Sequence, residues 1–377
     1  MKLFLFALML LPLAVSTGVP ADPPARNVIL FLADAGGIPT LSAASLHGYG
    51  EGRRLFVQRM PHIGLSETAT ASQFVTDSAA GMTAIVTGQR THNGVVGQGP
   101  DAVRGVRDGA PLKTMLEFAE ERGLSTGVIS NDALTGATPA ALFAKVNDRG
   151  NTAEIFRQAL AFPVGDGIDV MIGAGRSAIA GALAVAGTGF EQVAGARGRA
   201  VLASLDNVPT TASQALVLLD DEDFDLAAAV RIAHRVLSVN PRGYFLMVES
   251  DTHTDSIRRG LDRMVAFDQV IASTATAVSA DTLVLFTADH SFDLRVHGGT
   301  MGRPLLTGAA AERGGGMDGV RLPHVRMDNA HTGEEVLVAA QGPGAARVRG
   351  YLANTDLFRI MVSALGWSLP TRSPGIP

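Results

Sequence analysis

Short apolar runs without alternation recur along this chain, and stretches of helical periodicity separate them. Residues 27–32, 126–130, 170–172, 244–248, 282–287 and 335–340 read as strands. A run that is apolar at every position must be buried on both faces, as in a parallel sheet covered on each side. The intervening stretches predict helices over 79–87, 111–123, 138–150, 151–160, 225–237, 256–278 and 356–365. Strand and helix in alternation predict an α/β fold with a mainly parallel central sheet flanked by helices on both faces. Residues 174–220 are rich in Ala and Gly and read as surface helices and loops. Residues 291–330 are polar and broken by Gly and Pro, and read as a small inserted loop region. Neither an internal repeat nor an interdomain linker is evident, so residues 22–377 read as one domain.

The chain opens with Met1-Lys2, an apolar run over residues 3–15 and then small residues. That is the layout of a signal peptide over residues 1–21, with cleavage after Ser16 or Ala21. The run is short for a membrane span, and no later segment is long enough to be one. The expectation is an exported protein, periplasmic or secreted. With no cysteine in the sequence, such a protein must draw its stability from its core and from bound metal rather than from disulfides. A net charge of −5 argues against binding to nucleic acid or anionic membrane.

Polar residues cluster where the predicted strands end. Asp34 follows the first. Glu249, Asp251, His253 and Asp255 follow residues 244–248, Asp289-His290 follow 282–287, and His331 precedes the last strand. In open α/β sheets that edge is where ligands bind. Ser78 opens a helix behind Asp77, where free N–H groups favour an anion. Read singly, each of these is an ordinary loop residue, and Asp77 or Ser78 an ordinary helix cap. Together they supply carboxylates and imidazoles from separate loops. That is the donor set of zinc, and paired metal ions about 4 Å apart serve phosphoryl transfer.

The sequence Val75-Thr76-Asp77-Ser78-Ala79-Ala80, continued by Thr83-Ala84, Thr87-Gly88 and Asn93-Gly94, resembles the nucleophile motif of the alkaline phosphatase family. Further matches are Ala137-Thr138-Pro139-Ala140-Ala141-Leu142 with Arg149 downstream, Thr287-Ala288-Asp289-His290, His331-Thr332-Gly333, Gly342-Pro343-Gly344 and Thr355-Asp356-Leu357-Phe358. The likeness extends from about Arg26 to Trp367. It implies hydrolysis of small-molecule phosphate monoesters through a phosphoserine on Ser78, with two zinc ions. By the same resemblance Arg149 grips the phosphate and Asp77 orients it. Asp34, Asp289 and His290 would hold the zinc beside Ser78, and Asp251, His253 and His331 the second zinc. Asp34, Thr138 and Glu249 would form a third site, for magnesium. Relatives are often homodimers.

Three features depart from the family pattern. Asp34 is flanked by Ala33 and Ala35 rather than glycines. Gly136 stands where relatives carry Asp or His, so the third site loses a contact. The segment after Glu249 is shortened, and Thr254 and Arg258 occupy the positions where relatives place an Asp and a His. That leaves Asp251 and Asp255 as rival carboxylates for the second zinc, with Asp251 favoured. Other readings of the same metal core are a phosphodiesterase, a phosphonate hydrolase, a sulfatase or an inactive phosphate-binding relative. A metal-free serine hydrolase is disfavoured because the sequence has no G-x-S-x-G elbow. Of the remaining histidines, His297 in the inserted region is the one read as able to approach the metals.

Overall fold

The computed structural model describes residues 23–195, 200–309 and 320–368; residues 1–21 and part of the inserted region, 310–319, lie outside them. In chain order the strands are β1 (Asn27–Asp34), β2 (His62–Ser66), β3 (Ser125–Ala133), β4 (Val170–Ala174), β5 (Val201–Leu202), β6 (Ala215–Leu218) and β7 (Tyr244–Asp251). There follow β8 (Thr282–Ala288), β9 (Ser291–Val296), β10 (Val320–Leu322), β11 (Val325–Thr332), β12 (Val336–Gln341) and β13 (Gly350–Leu352). Ten of them form one sheet in the order β13-β2-β12-β8-β1-β7-β3-β4-β6-β5. Every described pairing in it is parallel except those of β12 with β2 and β8.

The apolar strands explain the layering. All eight residues of β1 are buried. Val28, Leu30 and Leu32 enter one core with the helices Ser78–Thr87, Met115–Glu121, Ala137–Phe143 and Asp356–Ala364. Ile29, Phe31 and Ala33 enter a second core with Ile38–Tyr49, Leu226–Leu237 and Ile257–Ala277. Side chains alternate across a strand, so a strand apolar throughout supplies both cores, and helices cover both faces as the sequence predicts.

Register then sets the site. Asp34 lies opposite Asp251, Ala33 opposite both Ser250 and Ala288, and Leu32 and Ser130 each opposite Glu249. The residues after these strands therefore meet at one edge of the sheet.

Several local expectations are corrected. The helix expected over 111–123 begins only at Met115, because Thr114 and Glu117 form a capping box there. The helix expected over 138–150 stops at Phe143. Beyond it Val146 exchanges two backbone hydrogen bonds with Val96, so Arg149 stands on a loop. Residues 174–220 contain two strands, β5 and β6, as well as helices. The apolar run Ala215–Leu218 is fully buried beside β4. The inserted region is not merely loop: β9, β10 and β11 form a separate antiparallel sheet, and β11 carries His331.

Candidate active site

Asp34 ends β1 in the middle of the sheet. The Thr252 N–H and hydroxyl both donate to its carbonyl oxygen, at 3.0 and 2.7 Å. The chain then turns sharply. Ala35 adopts φ 60°, a left-handed conformation that glycine tolerates without strain and alanine does not. The Ala35 N–H faces Asp289 Oδ1 at 3.3 Å. The alanines flanking Asp34 therefore leave the carboxylate in place, at the cost of one strained residue.

Ser78 is the first residue of its helix, and Asp77 is the cap. Asp77 Oδ1 accepts from the Ala80 N–H at 3.0 Å. Its Oδ2 accepts from the Gly94 N–H at 2.8 Å and from Arg149 Nη1 at 3.1 Å. Asn93 Oδ1 accepts from the Asp77 N–H at 2.9 Å, and Gly94 O from the Arg149 N–H at 2.8 Å. The Asn93-Gly94 turn thus ties the helix start to the arginine loop. All ten residues of the helix are buried. Gly81 is needed for packing: a Cβ there would sit 2.9 Å from the Asp289 carbonyl oxygen.

The Ser78 hydroxyl lies 3.3 Å from Asp34 Oδ2 and 3.4 Å from His290 Nε2. His290 Nε2 is 3.3 Å from Asp34 Oδ1 and 3.6 Å from Asp289 Oδ2. The His290 and His331 rings stack at 3.8 Å, and the His253 ring centroid is 5.6 Å from each of them. Two groups of donor atoms close enough to share an ion result, Asp34 with Asp289 and His290, and His253 with His290 and His331. Asp34 Oδ1 and Asp289 Oδ2 are buried and complete no hydrogen bond. Buried carboxylate oxygens of this kind call for a cation, and mixed oxygen and imidazole donors suit zinc.

The electrostatics agree. Burial opposes the charge of Asp34, but His253, His290 and Arg149 outweigh it and hold its pKa below the usual carboxylate range. Burial and the charge of Asp34 push Asp289 up to about 6. Burial works against a charged His253, yet Asp34, Asp251 and Asp289 raise it to about 10. Burial and the neighbouring His290 bring His331 down to about 4, leaving a neutral imidazole suited to metal binding.

Behind this cluster stand Glu249 and Thr138, each 1% exposed. Glu249 Oε2 and Thr138 Oγ1 complete no hydrogen bond of normal geometry, although the hydroxyl is near enough to favour a charged Glu249. Burial, with Asp34 and Asp132 nearby, pushes the Glu249 carboxyl well up. Burial also raises Asp132 to about 6, with help from Asp251, Asp34 and Glu222. Asp132 is the next-to-last residue of β3, and sequence reasoning passed over it. The signal was available: it is a carboxylate just past the apolar run 126–130, as Asp34 is just past 27–32.

Asp251 joins neither donor group. Its Oδ1 accepts from the His253 N–H at 3.0 Å and from His253 Nδ1 at 2.7 Å, and its Oδ2 from Arg263 Nη1 at 2.9 Å. Arg263, also unremarked in the sequence, is 9% exposed. A carboxylate bonded to one ring nitrogen of a histidine fixes its tautomer and orientation. Asp255, the rival, is exposed, and its Oδ1 accepts from the Ser256 N–H at 2.7 Å. Thr254 is buried and Arg258 exposed. His297 is exposed at the end of β9 and lies in neither donor group.

A family model described as alkaline phosphatase matches residues 25–196 and 215–312. The chain is 31% identical to a streptomycin-6-phosphate phosphatase of Streptomyces griseus over 91% of each chain. It is 30% identical to an alkaline phosphatase of Escherichia coli, over 92% of this chain and 87% of that one. Its fold matches that of the alkaline phosphatase from the Antarctic bacterium TAB5, with a TM-score of 0.73 at 21% identity over 92% of this chain and 100% of that one. It also matches the Thermus thermophilus alkaline phosphatase, with a TM-score of 0.75 at 21% identity over 96% of each.

Proposed function

The chain belongs to the alkaline phosphatase family, and we propose that it hydrolyses phosphate monoesters of small molecules through a phosphoserine on Ser78. The observation that carries this reading is the placing of the Ser78 hydroxyl. It stands at a helix N-terminus, 3.3 Å from Asp34 Oδ2 and 3.4 Å from His290 Nε2, beside the paired Asp77 and Arg149.

The Ser78 oxygen attacks phosphorus and the ester oxygen departs as the alcohol, leaving the phosphoryl group on Ser78. Water then cleaves that bond, releasing phosphate and restoring the hydroxyl. Asp34 and His290 hold the hydroxyl on the attacking side. Asp77 anchors one nitrogen of Arg149 and leaves the rest of its planar fork for two phosphate oxygens, which a lysine could not match. Zinc held by Asp34, Asp289 and His290, and by His253 and His331 with Asp251 orienting His253, would lower the pKa of the serine and neutralise charge on the departing oxygen. Mg-bound mutants of the TAB5 enzyme support a third ion, near Asp34, Thr138 and Glu249.

The relative that acts on streptomycin-6-phosphate supports a small phosphorylated molecule as substrate. The apolar opening of the sequence, laid out like a signal peptide, supports export. Among the described residues no helix is long and apolar enough to cross a membrane.

Metal analysis of the purified protein, with aryl phosphate turnover measured before and after chelation, tests the proposal. About two zinc ions per chain are expected, with turnover lost to chelator and restored by zinc. Full turnover without metal would refute it, as would hydrolysis of a diester or sulfate ester in preference to the monoester.

A further inference from the structure

Beside Asp34 the structure buries two further oxygen donors, Glu249 and Thr138. Asp34, Glu249 and Thr138 are 6%, 1% and 1% exposed. Glu249 Oε2 and Thr138 Oγ1 complete no hydrogen bond of normal geometry. No salt bridge joins Glu249 or Asp132 to a Lys, Arg or His among the described residues. Two of these carboxylates are nine-tenths buried, and a cation between them would offset the cost of burying their charge. A set of carboxylates and a hydroxyl, without nitrogen or sulfur, selects a hard ion.

Gly136 begins the helix that carries Thr138 and offers no side chain to such an ion. The turn before it brings Asp132 into that space. The Gly136 N–H donates to the Ala133 carbonyl at 2.7 Å, folding residue 136 back against the end of β3. A Cβ on Gly136 would lie 3.2 Å from Asp132 Oδ2. The Asp132 N–H donates to Ser130 Oγ at 3.0 Å, and Ser130 pairs with Glu249 in the sheet. The Asp132 carboxylate therefore occupies the place that a longer side chain at 136 would fill. It is close enough to Asp34 and Glu249 to act on the charge of both.

We propose that Asp132 completes a Mg²⁺ site with Asp34, Thr138 and Glu249, substituting for the side chain that Gly136 lacks. Mg²⁺ keeps part of its water shell and takes one or two carboxylates directly, so Asp132 acts on the ion through bound water. The inference rests on the metal-dependent reading above. It also explains why a carboxylate added at 136 is a poor remedy: its Cβ would meet the Ala133 carbonyl oxygen at 2.9 Å.

The test is Mg²⁺ titration of zinc-loaded protein by calorimetry, with the Mg²⁺-dependent rise in melting temperature as a second readout. Asp132→Asn keeps the shape of the side chain, and Asp132→Ser guards against a defect peculiar to the amide. Glu222→Gln is the control, because Glu222 shares the electrostatic field of Asp132 and is not placed in the site. Each Asp132 variant should bind Mg²⁺ about 10- to 100-fold more weakly, the loss typical of a carboxylate removed from around a metal. Zinc content should be unchanged, and Glu222→Gln should stay within about twofold of wild type, as for a distant screened charge. The proposal is overturned if wild type binds no Mg²⁺, if Asp132→Asn and Asp132→Ser bind it like wild type, or if Glu222→Gln is weakened equally. Absence of zinc-dependent turnover alongside the expected Mg²⁺ pattern would instead sink the proposed function and leave this site standing.

Discussion

Replacing Asp77 by alanine removes a helix cap, a loop anchor and an ion pair together, because its carboxylate accepts from Ala80, Gly94 and Arg149. Loss of the cap costs about 1 kcal/mol. Gly94 is buried, and its orphaned N–H costs about 1–3 kcal/mol more. The pair with Arg149, whose side chain is 33% exposed, adds less than about 1 kcal/mol. Asp77→Ala should therefore lose about 2–5 kcal/mol of stability, mostly from backbone N–H groups left unpaired. Asp77→Asn keeps one acceptor for the cap but turns an amide N–H toward Gly94 and Arg149, for a loss of about 1–2 kcal/mol. Urea denaturation of zinc-loaded protein measures this as a lower midpoint at unchanged slope. Both variants should also release Arg149, weakening inhibition by free phosphate about tenfold, the equivalent of about 1.4 kcal/mol. Wild-type midpoints in both variants would refute the assignment of these bonds. Lowered midpoints with unchanged phosphate inhibition would show that Asp77 caps the helix without positioning the arginine.

Other predictions concern the second metal and the pH response. His253→Ala should lower zinc content by about one ion, and Asp251→Asn, which unfastens His253 Nδ1, should weaken zinc about 10- to 100-fold; Asp255→Asn should leave metal content alone, and loss of zinc on that change would reverse the assignment. Glu120 is buried beneath Thr126, and burial raises its carboxyl to about 8. The folded protein then holds a proton that the unfolded chain gives up near 4.5, so Glu120 erodes stability as pH rises from about 4.5 through about 8. Glu120→Gln should gain melting temperature relative to wild type across that window and hold a constant advantage above it. A difference independent of pH would mean that Glu120 is charged throughout.

What could be read in the sequence followed from local rules. The buried strands were legible because β1, β7 and β8 are apolar at nearly every position, and their ends because a polar residue stops each run. Asp34, Asp289 and His290 stand at those ends, Ser78 at a helix start and His331 just ahead of β12, and the structure gathers them. The extent of the helix from 138 was illegible, because it ends where Val146 pairs with Val96 across many intervening residues. The sheet β9–β11 was hidden for a similar reason: its strands are half exposed and rich in polar residues, so no apolar run marks them. The carboxylate near the second metal could not be settled by spacing, since its role depends on Arg263, one helix away, which takes the other oxygen of Asp251. Asp132 could have been found by the rule that found Asp34, but nothing local shows that the turn to Gly136 folds it over the third site.

The most direct test of the account is to identify the residue that carries the phosphoryl group. Zinc-loaded protein is incubated with a phosphate monoester, quenched in acid and analysed by peptide mass spectrometry. The account predicts a phosphoserine at Ser78 that is absent from Ser78→Ala, which should retain its zinc and lose nearly all turnover. Phosphate on any other residue, or undiminished turnover in Ser78→Ala, would contradict it.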